Sequence, residues 1–446
     1  MAKPTSIFKR VNPSEQLIVA ALKDAAEDLP PPELSEEFGA HFARYGDAEV
    51  VLLGEATHGS SEFYKARAAI SRHLIRNCGF NIIAVEADWP DAARIDRYVR
   101  HRSLVPSKEQ AFDRFPSWMW RNVEVLEFVE WLRLENQHRP DAQRVEFRGL
   151  DIYSLRTSIA AVLAYLDGID PDAAADARRR YGCLTPWQSD PARYGHRAQM
   201  GGDTCEAAVR QQLLDLLERR LEYAARDGEE FFDAAQNARI VRSAEQYYRI
   251  MYEGSRESWN LRDRHMFDTL KTLIHSRGPK AKAIVWAHNS HVGNAAATSM
   301  GWEGEFNIGE LCRTAYGARM AAIGFGTDTG TVAAASDWDS PMEVKDVRPA
   351  REDSYEYLFR RSGHARSLTD WRGPQSARLH ELLSEPRLQR AIGVVYRPQT
   401  ELLSHYFHAV LSEQFDSYVW FETTRAVTPL GSVRPKGTPE TYPFGL

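Results

Sequence analysis

Four short runs of this chain read as buried strands, three of them apolar from end to end, and each stops at residues able to move protons. Val51-Leu52-Leu53-Gly54 is followed by Glu55 and His58, Ile82-Ile83-Ala84-Val85 by Glu86, Val145 to Leu150 by Asp151, and Ile284-Val285-Trp286-Ala287 by His288 and His291. An apolar run without polar alternation suits a strand covered on both faces, the habit of parallel sheets packed between helices. In open sheets of this kind ligands sit beyond the carboxyl ends of the strands. Acids and imidazoles repeated at those ends outline one cleft, and the pattern points to an enzyme.

The spacing around these runs fills in the fold. Residues 14 to 28 suit a helix that Pro30, Pro31 and Pro32 would stop, with a second short helix toward Ala43. After the strand Glu49 to Gly54, the stretch Gly59 to Asn77 has a helical period in Phe63, Ala66, Ile70 and Leu74. Gly79 then takes a helix C-cap position before the strand Ile82 to Glu86. This is a βαβ unit, and the amphipathic stretch Val123 to Leu134 leads to a third strand. From about 155 to 278 the pattern becomes long helices, marked by Leu213, Leu214, Leu217 and Leu221, by Ile240, Ala244, Tyr247 and Met251, and by Leu261, Phe267, Leu270 and Ile274. Strands resume at Ala283 to Ala287, Met320 to Phe325, Ile392 to Tyr396 and Ser417 to Phe421. The expectation is an α/β protein: a largely parallel sheet flanked by helices, with residues 1–154 and 279–446 as a discontinuous core, 155–278 as an all-helical insertion, and an irregular Pro/Gly-rich tail from about 429.

Composition removes several function classes. With 43% apolar and 26% charged residues among 446, the chain has an ordinary globular make-up, and no apolar run approaches the ~20 residues of a membrane span. A net charge of -6 without a long basic run argues against nucleic acid as a partner. The first ten residues lack the apolar core of a secretory signal, so the cytoplasm is the expected location. Cys78, Cys183, Cys205 and Cys312 form no Cys-x-x-Cys pair and are expected to be reduced, buried thiols.

Gly54-Glu55-Ala56-Thr57-His58-Gly59 sits where a strand turns into a helix, so Glu55 and His58 are directed into the cleft; the plainer reading makes Glu55 a helix cap and His58 a loop residue. Glu86 ends an apolar strand and needs a partner, for which His58, His288 and Arg67 are candidates, with a structural ion pair to Arg67 or Arg94 as the alternative. His288 and His291, three residues apart after a strand, suit acid/base work or metal ligation. No Gly-x-Ser-x-Gly elbow supplies a serine nucleophile. Gly324, Gly326 and Gly330 miss the dinucleotide fingerprint and read as a turn after a strand. His405 and His408, at helical spacing within Leu402 to Leu411, read as packing or surface groups. The aromatics Trp89, Trp118, Trp120 and Tyr153, near Arg121 and Asp151, suggest a site for an organic molecule rather than an ion.

These motifs resemble those of the erythromycin esterase family. Gly54 to Gly59 with Glu62, Phe63 and Arg67 is similar to its first motif, Ala84-Val85-Glu86 to its second, and Ala287 to His291 to its third, with Gly149-Leu150-Asp151 also matching. The stretches Ala87 to Pro90, Phe115 to Asn122 and Trp259 to Asp263 resemble the broad environmental branch rather than the enzymes of macrolide antibiotic resistance. The resemblance implies a catalytic set of Glu55, His58, Arg67, Glu86, His288 and His291, with Trp89, Arg121, Asp151, Tyr153 and Arg262 as substrate contacts.

The implied reaction is hydrolysis of a small-molecule ester or lactone by activated water without a required cofactor. His58 would be the base, poised by Glu55 or Glu86, and Arg67 or a histidine of the 288/291 pair would steady the oxyanion. Two rivals stand beside it. One is a metal-dependent hydrolase in which Glu55, His58, Glu86, His288 and His291 hold a divalent cation. The other is a non-catalytic small-molecule-binding protein. Oligomeric state is not legible in the sequence.

Overall fold

The computed structural model describes residues 13–103, 112, 116–188, 190–373 and 376–431. Eleven strands follow in chain order: β1 (Glu27–Asp28), β2 (Val50–Leu53), β3 (Ile82–Asp88), β4 (Glu146–Asp151), β5 (Ala283–Trp286), β6 (Met320–Ala335), β7 (Met342–Val347), β8 (Arg366–Asp370), β9 (Arg387–Arg390), β10 (Tyr406–Ala409) and β11 (Ser417–Thr424). Nine form one sheet in the order β1-β8-β11-β6-β2-β5-β3-β4, with β7 paired to the far half of β6. From β11 to β4 every neighbour pair is parallel; β1, β8 and β7 add antiparallel edges. The fold is α/β with a mostly parallel sheet, as the apolar runs require.

Alternate residues explain why those runs carry no polar positions. Val51, Leu53, Ile83, Val85, Ile284 and Trp286 face one apolar layer with Phe63, Ile70 and Leu74 of the helix Ser61–Asn77 and Phe128 and Leu132 of the helix Val123–Gln137. Val50, Leu52, Ile82, Ala84, Ala283 and Val285 face another, with Ile18 and Leu22 of the helix Pro13–Ala25 and Met266, Leu270 and Leu273 of the helix Ser255–Arg277. Period-two geometry sends neighbours to opposite faces, and both faces are covered. Each fully buried aliphatic side chain contributes about 1.5–3 kcal/mol of transfer free energy.

Between β4 and β5 every described element is helical, from Leu155–Ile169 to Ser255–Arg277. Most of this region has an apolar core of its own around Val162, Leu213, Val241 and Tyr247. The helix Ser255–Arg277 differs, since its apolar residues join the sheet's layer instead.

Several expectations are corrected. Gly324, Gly326 and Gly330 lie within β6 and not in a turn; a Cβ on Gly326 would stand 2.1 Å from the Tyr418 hydroxyl on neighbouring β11, so glycine makes room for that ring. Ile392 to Tyr396 forms only isolated bridges, Thr57 to Ile392 and Ala335 to Val395, while the strand lies just before it as β9, paired with β10. His408 is accordingly an exposed residue of β10 and His405 closes a four-residue helix, not members of one longer helix. Cys183 and Cys205 form a disulfide, with Cα atoms 5.9 Å apart, while Cys78 is half-buried and Cys312 buried as free thiols. Helix packing brings together two cysteines whose 22-residue separation gives no hint of it. Gly79 does adopt the left-handed conformation of a C-cap, with φ +77. The first ten residues and the tail beyond 431 lie outside the described residues. No described helix is long and apolar enough to cross a membrane.

Candidate active site

The turn after β2 is threaded through a narrow space. A Cβ on Gly54 would stand 2.1 Å from Asn289 Oδ1, and one on Gly59 would stand 1.9 Å from the Ala333 carbonyl oxygen, so neither position accepts a side chain without displacement. Glu55, 1% exposed, divides its carboxylate between two partners: Oε1 lies 3.0 Å from His58 Nδ1, and Oε2 accepts from Arg67 at 2.6 Å. The Arg67 guanidinium is held between the rings of Tyr64 and Trp286, at 4.4 and 5.1 Å. Tyr64 also donates its hydroxyl to the His58 carbonyl at 2.9 Å. The helix Ser61–Asn77 thus returns Arg67 and Tyr64 to brace the turn from which it starts.

Strand β5 runs between β2 and β3, and this order decides the site. His288, at its end, is set between the residues that leave its two neighbours. Its backbone N–H donates to Glu86 Oε2 at 2.9 Å, and its ring lies 4.9 Å from that of His58. The side chain caps the short helix Asn289–Val292: Nδ1 accepts the Ser290 backbone N–H at 3.2 Å, and the Ser290 hydroxyl lies 2.8 Å away. Burial, then the neighbouring His58, pushes the His288 pKa well below the ordinary imidazole value. A neutral ring that accepts at Nδ1 carries its proton on Nε2. That atom is buried, and the Ala56 backbone on the turn after β2 also favours a proton on the ring.

A second cluster forms around Arg262. Its Nε and NH2 donate to the two oxygens of Asp151 at 3.0 and 2.7 Å, and NH2 also donates to Glu86 Oε1 at 2.8 Å. Tyr153 supplies a ring 5.1 Å beneath the guanidinium. His291 Nε2 lies 3.2 Å from Glu86 Oε1, and its Nδ1 lies 3.0 Å from both oxygens of Asp263. Trp259 lies flat on the His291 ring, with centroids 4.5 Å apart and an interplanar angle of 6°. Burial works against charge on His291, but Asp263 and then Glu86 outweigh it and hold the imidazolium up to about 9. Burial would raise Glu86, but His291 and then Arg262 keep its carboxyl well below the usual carboxylate range. Burial lifts Asp263 above that range against the pull of His291.

The structure therefore brings together Glu55, His58, Arg67, Glu86, His288 and His291, with Asp151, Tyr153 and Arg262 behind them. It does not bring Trp89: the ring is buried in the opposite layer, donates to Asp233 at 2.7 Å and packs on Phe232. Arg121 is half-buried one residue past Trp120, whose indole donates to the Glu86 carbonyl at 3.1 Å, and its backbone is tied to Ser117 and Leu430. Glu86 is partnered by Arg262, His291 and the His288 backbone N–H rather than by Arg67 or Arg94, because Arg67 is committed to Glu55 and Arg94 reaches Asp91. Asp263 was not singled out as an orienting group, nor Tyr64 and Trp259 as ring supports. One signal was present: Trp259, Arg262, Asp263, Met266, Leu270 and Leu273 share one helix face, so two charges occupy an apolar stripe. Among the described residues no three His, Cys, Asp or Glu side chains converge as ligands of one ion.

Known proteins bear on this geometry. The chain is 22% identical over 397 residues to YbfO of Bacillus subtilis, whose designation as a hydrolase is provisional, covering 84% of this chain and 83% of that one. It is 22% identical over 309 residues to erythromycin esterase type II of Escherichia coli, covering 65% of this chain and 71% of that protein. Among solved structures, one described as a succinoglycan biosynthesis protein aligns with a TM-score of 0.77 at 20% identity, over 94% of this chain and all of that one. A mutant erythromycin esterase in its open conformation aligns with a TM-score of 0.63 at 20% identity, over 87% of this chain and 94% of that one. At these identities the structural likeness shows the fold. The family model for erythromycin esterase matches residues 75–424, most of the length, and the chain belongs to that family.

Proposed function

We propose that this protein hydrolyses an ester or lactone with water activated at His58. The observation that carries the reading is the pairing of two histidines with unlike surroundings at the ends of adjacent strands, His58 held by Glu55 and His288 held neutral by burial. Glu55 accepts a hydrogen bond from His58 Nδ1–H, which leaves the Nε2 lone pair as the base. Arg67, bonded to the other oxygen of Glu55, fixes the carboxylate and keeps it from turning away. The His288 Nε2–H, buried and 4.9 Å ring to ring from His58, is the donor for the oxyanion of the tetrahedral intermediate. A preorganised donor of this kind is worth ~3 kcal/mol. Glu86 holds the His288 backbone in place, and the Arg262–Asp151–His291–Asp263 cluster anchors Glu86.

The geometry gives the attacking water a base on one strand end and the developing oxyanion a donor on the next. A serine nucleophile is not required. Purified protein is assayed against a panel of aryl esters, aliphatic esters and macrocyclic lactones, macrolides among them, with metal content measured on the same preparation and after chelation. Turnover that persists in metal-free protein is expected. Turnover that tracks metal content supports the metal-dependent rival, and saturable binding without turnover supports a binding protein.

A further inference from the structure

A polar cavity lined by none of the candidate catalytic residues lies within the helical insertion. It has a volume of about 260 Å³ between the helices Glu206–Glu218, Gly228–Ile250 and Ser255–Arg277. Three arginines, Arg239, Arg242 and Arg264, line it together with His265 and a single carboxylate, Asp268. On Ser255–Arg277 His265 lies roughly 60° and Arg264 roughly 160° around the helix from Arg262, so the cavity flanks the Arg262 cluster without sharing its residues.

The charges of this cavity are not balanced. Among the described residues none of the three arginines has a carboxylate within ion-pair distance. Arg239 donates to Gln236 at 2.6 Å, a neutral amide, and Arg264 rests on the Phe306 ring at 5.1 Å. His265 is 7% exposed, and its Nε2 is buried without a hydrogen-bond partner. A buried donor left unpaired costs about 1–3 kcal/mol, and the half-buried Arg239 guanidinium is repelled by the exposed Arg242 beside it. Such an arrangement is stabilised by an anion that accepts from all of them. Leu213, Leu217 and Leu261 line the remaining wall and offer apolar contact.

We propose that this cavity is a second binding site, for a small oxyanion, phosphate or carboxylate, carried on an apolar group. The arginine forks of Arg239 and Arg242 meet two oxygens, His265 donates from Nε2, and the leucines cover the apolar part. Two electrostatic features agree with this. Burial and then Arg242 lower the Arg239 pKa, and burial lowers that of His265 to about 4, with Asp151 opposing and Arg242 and Arg239 adding to the fall, so an anion between the arginines would offset their repulsion. Three arginines against one aspartate exclude a cation as occupant.

The test is titration calorimetry of the full chain at low ionic strength with inorganic phosphate, phenyl phosphate, benzoate and, as the uncharged control, benzyl alcohol, each to about 10 mM. Saturable binding of at least one oxyanion is expected, weakened roughly tenfold or more in Arg239→Gln/Arg242→Gln, with phenyl phosphate against benzoate distinguishing the two anion types. Should the double variant not fold, the exposed single variant Arg242→Gln and the His265 ring resonances of the wild-type protein, which must shift on binding, take its place. No saturable oxyanion binding, equal binding of benzyl alcohol, or affinity indifferent to the arginines would overturn the proposal.

Discussion

His58 and His288 are neighbours with unlike surroundings, and the proposed division of roles rests on that difference. His58 faces a carboxylate through Nδ1, whereas His288 Nδ1 is occupied by a backbone N–H, which fixes its proton on the other nitrogen. His288→Asn is therefore expected to lower kcat by about 100-fold with a smaller change in KM, as loss of one oxyanion donor does, checked by steady-state kinetics on the best substrate of the panel. His291 makes a different prediction. Its folded pKa of about 9 lies above the ordinary value near 6.5, so its charge stabilises the fold fully below about pH 6.5, and that contribution is lost as pH rises through 9. Urea midpoints measured from pH 6.5 to 9.5 should fall in the wild type and fall less in His291→Gln; parallel profiles would count against the charged pair. The strand-end residues were legible because an ionisable group ending an apolar run has few places to go. Arg262 was expected only as a substrate contact, since its bond to Glu86 spans 176 residues and a helix in another region supplies it.

Strand order explains more of the site than strand identity does. Consecutive strands β2 and β3 are not neighbours; β5 enters between them after the insertion and places His288 between Glu55 and Glu86. The apolar runs predicted β2, β3, β5, β6 and β11 and their parallel course, though Ile392 to Tyr396 is no strand and the antiparallel edges went unread, and no local pattern carries the order. The glycines of β6 show a related limit. Gly326 read as turn material because glycine weakens strands, yet here it answers the volume of Tyr418 on the next strand, a fact visible only once the pairing is known. Gly326→Ala is expected to destabilise by about 1–3 kcal/mol through overpacking, measured by chemical denaturation. Adding Tyr418→Phe, which removes the hydroxyl 2.1 Å from the new methyl position and leaves no buried unpartnered oxygen, should recover part of that loss. No recovery would mean that the tight fit lies elsewhere.

At the scale of the whole molecule the site belongs to two regions at once. The sheet contributes Glu55, His58, Glu86, His288 and His291, and the last helix of the helical region contributes Arg262 and Asp263 while packing its apolar face into the sheet's own layer. The other insertion helices share a separate core, stapled by the Cys183–Cys205 disulfide, with Ile240 and Phe232 of Gly228–Ile250 also reaching the sheet's layer. Closing a loop of that 22-residue separation contributes about 3 kcal/mol, so Cys183→Ser should lower Tm in the absence of reductant while hydrolysis at 25 °C stays unchanged. A fall in kcat to match the fall in Tm would place the staple within the working site. Helical periodicity foretold the insertion, but not which of its helices joins the sheet, because each shows an apolar face and none shows its partner. The central claim, that Glu55-held His58 activates water at the end of β2, is tested most directly by kcat/KM for the best ester or lactone in wild type and His58→Ala, with circular dichroism confirming the fold of both. A loss of about 100-fold or more with the fold intact is the predicted result, and full activity in His58→Ala would contradict the account.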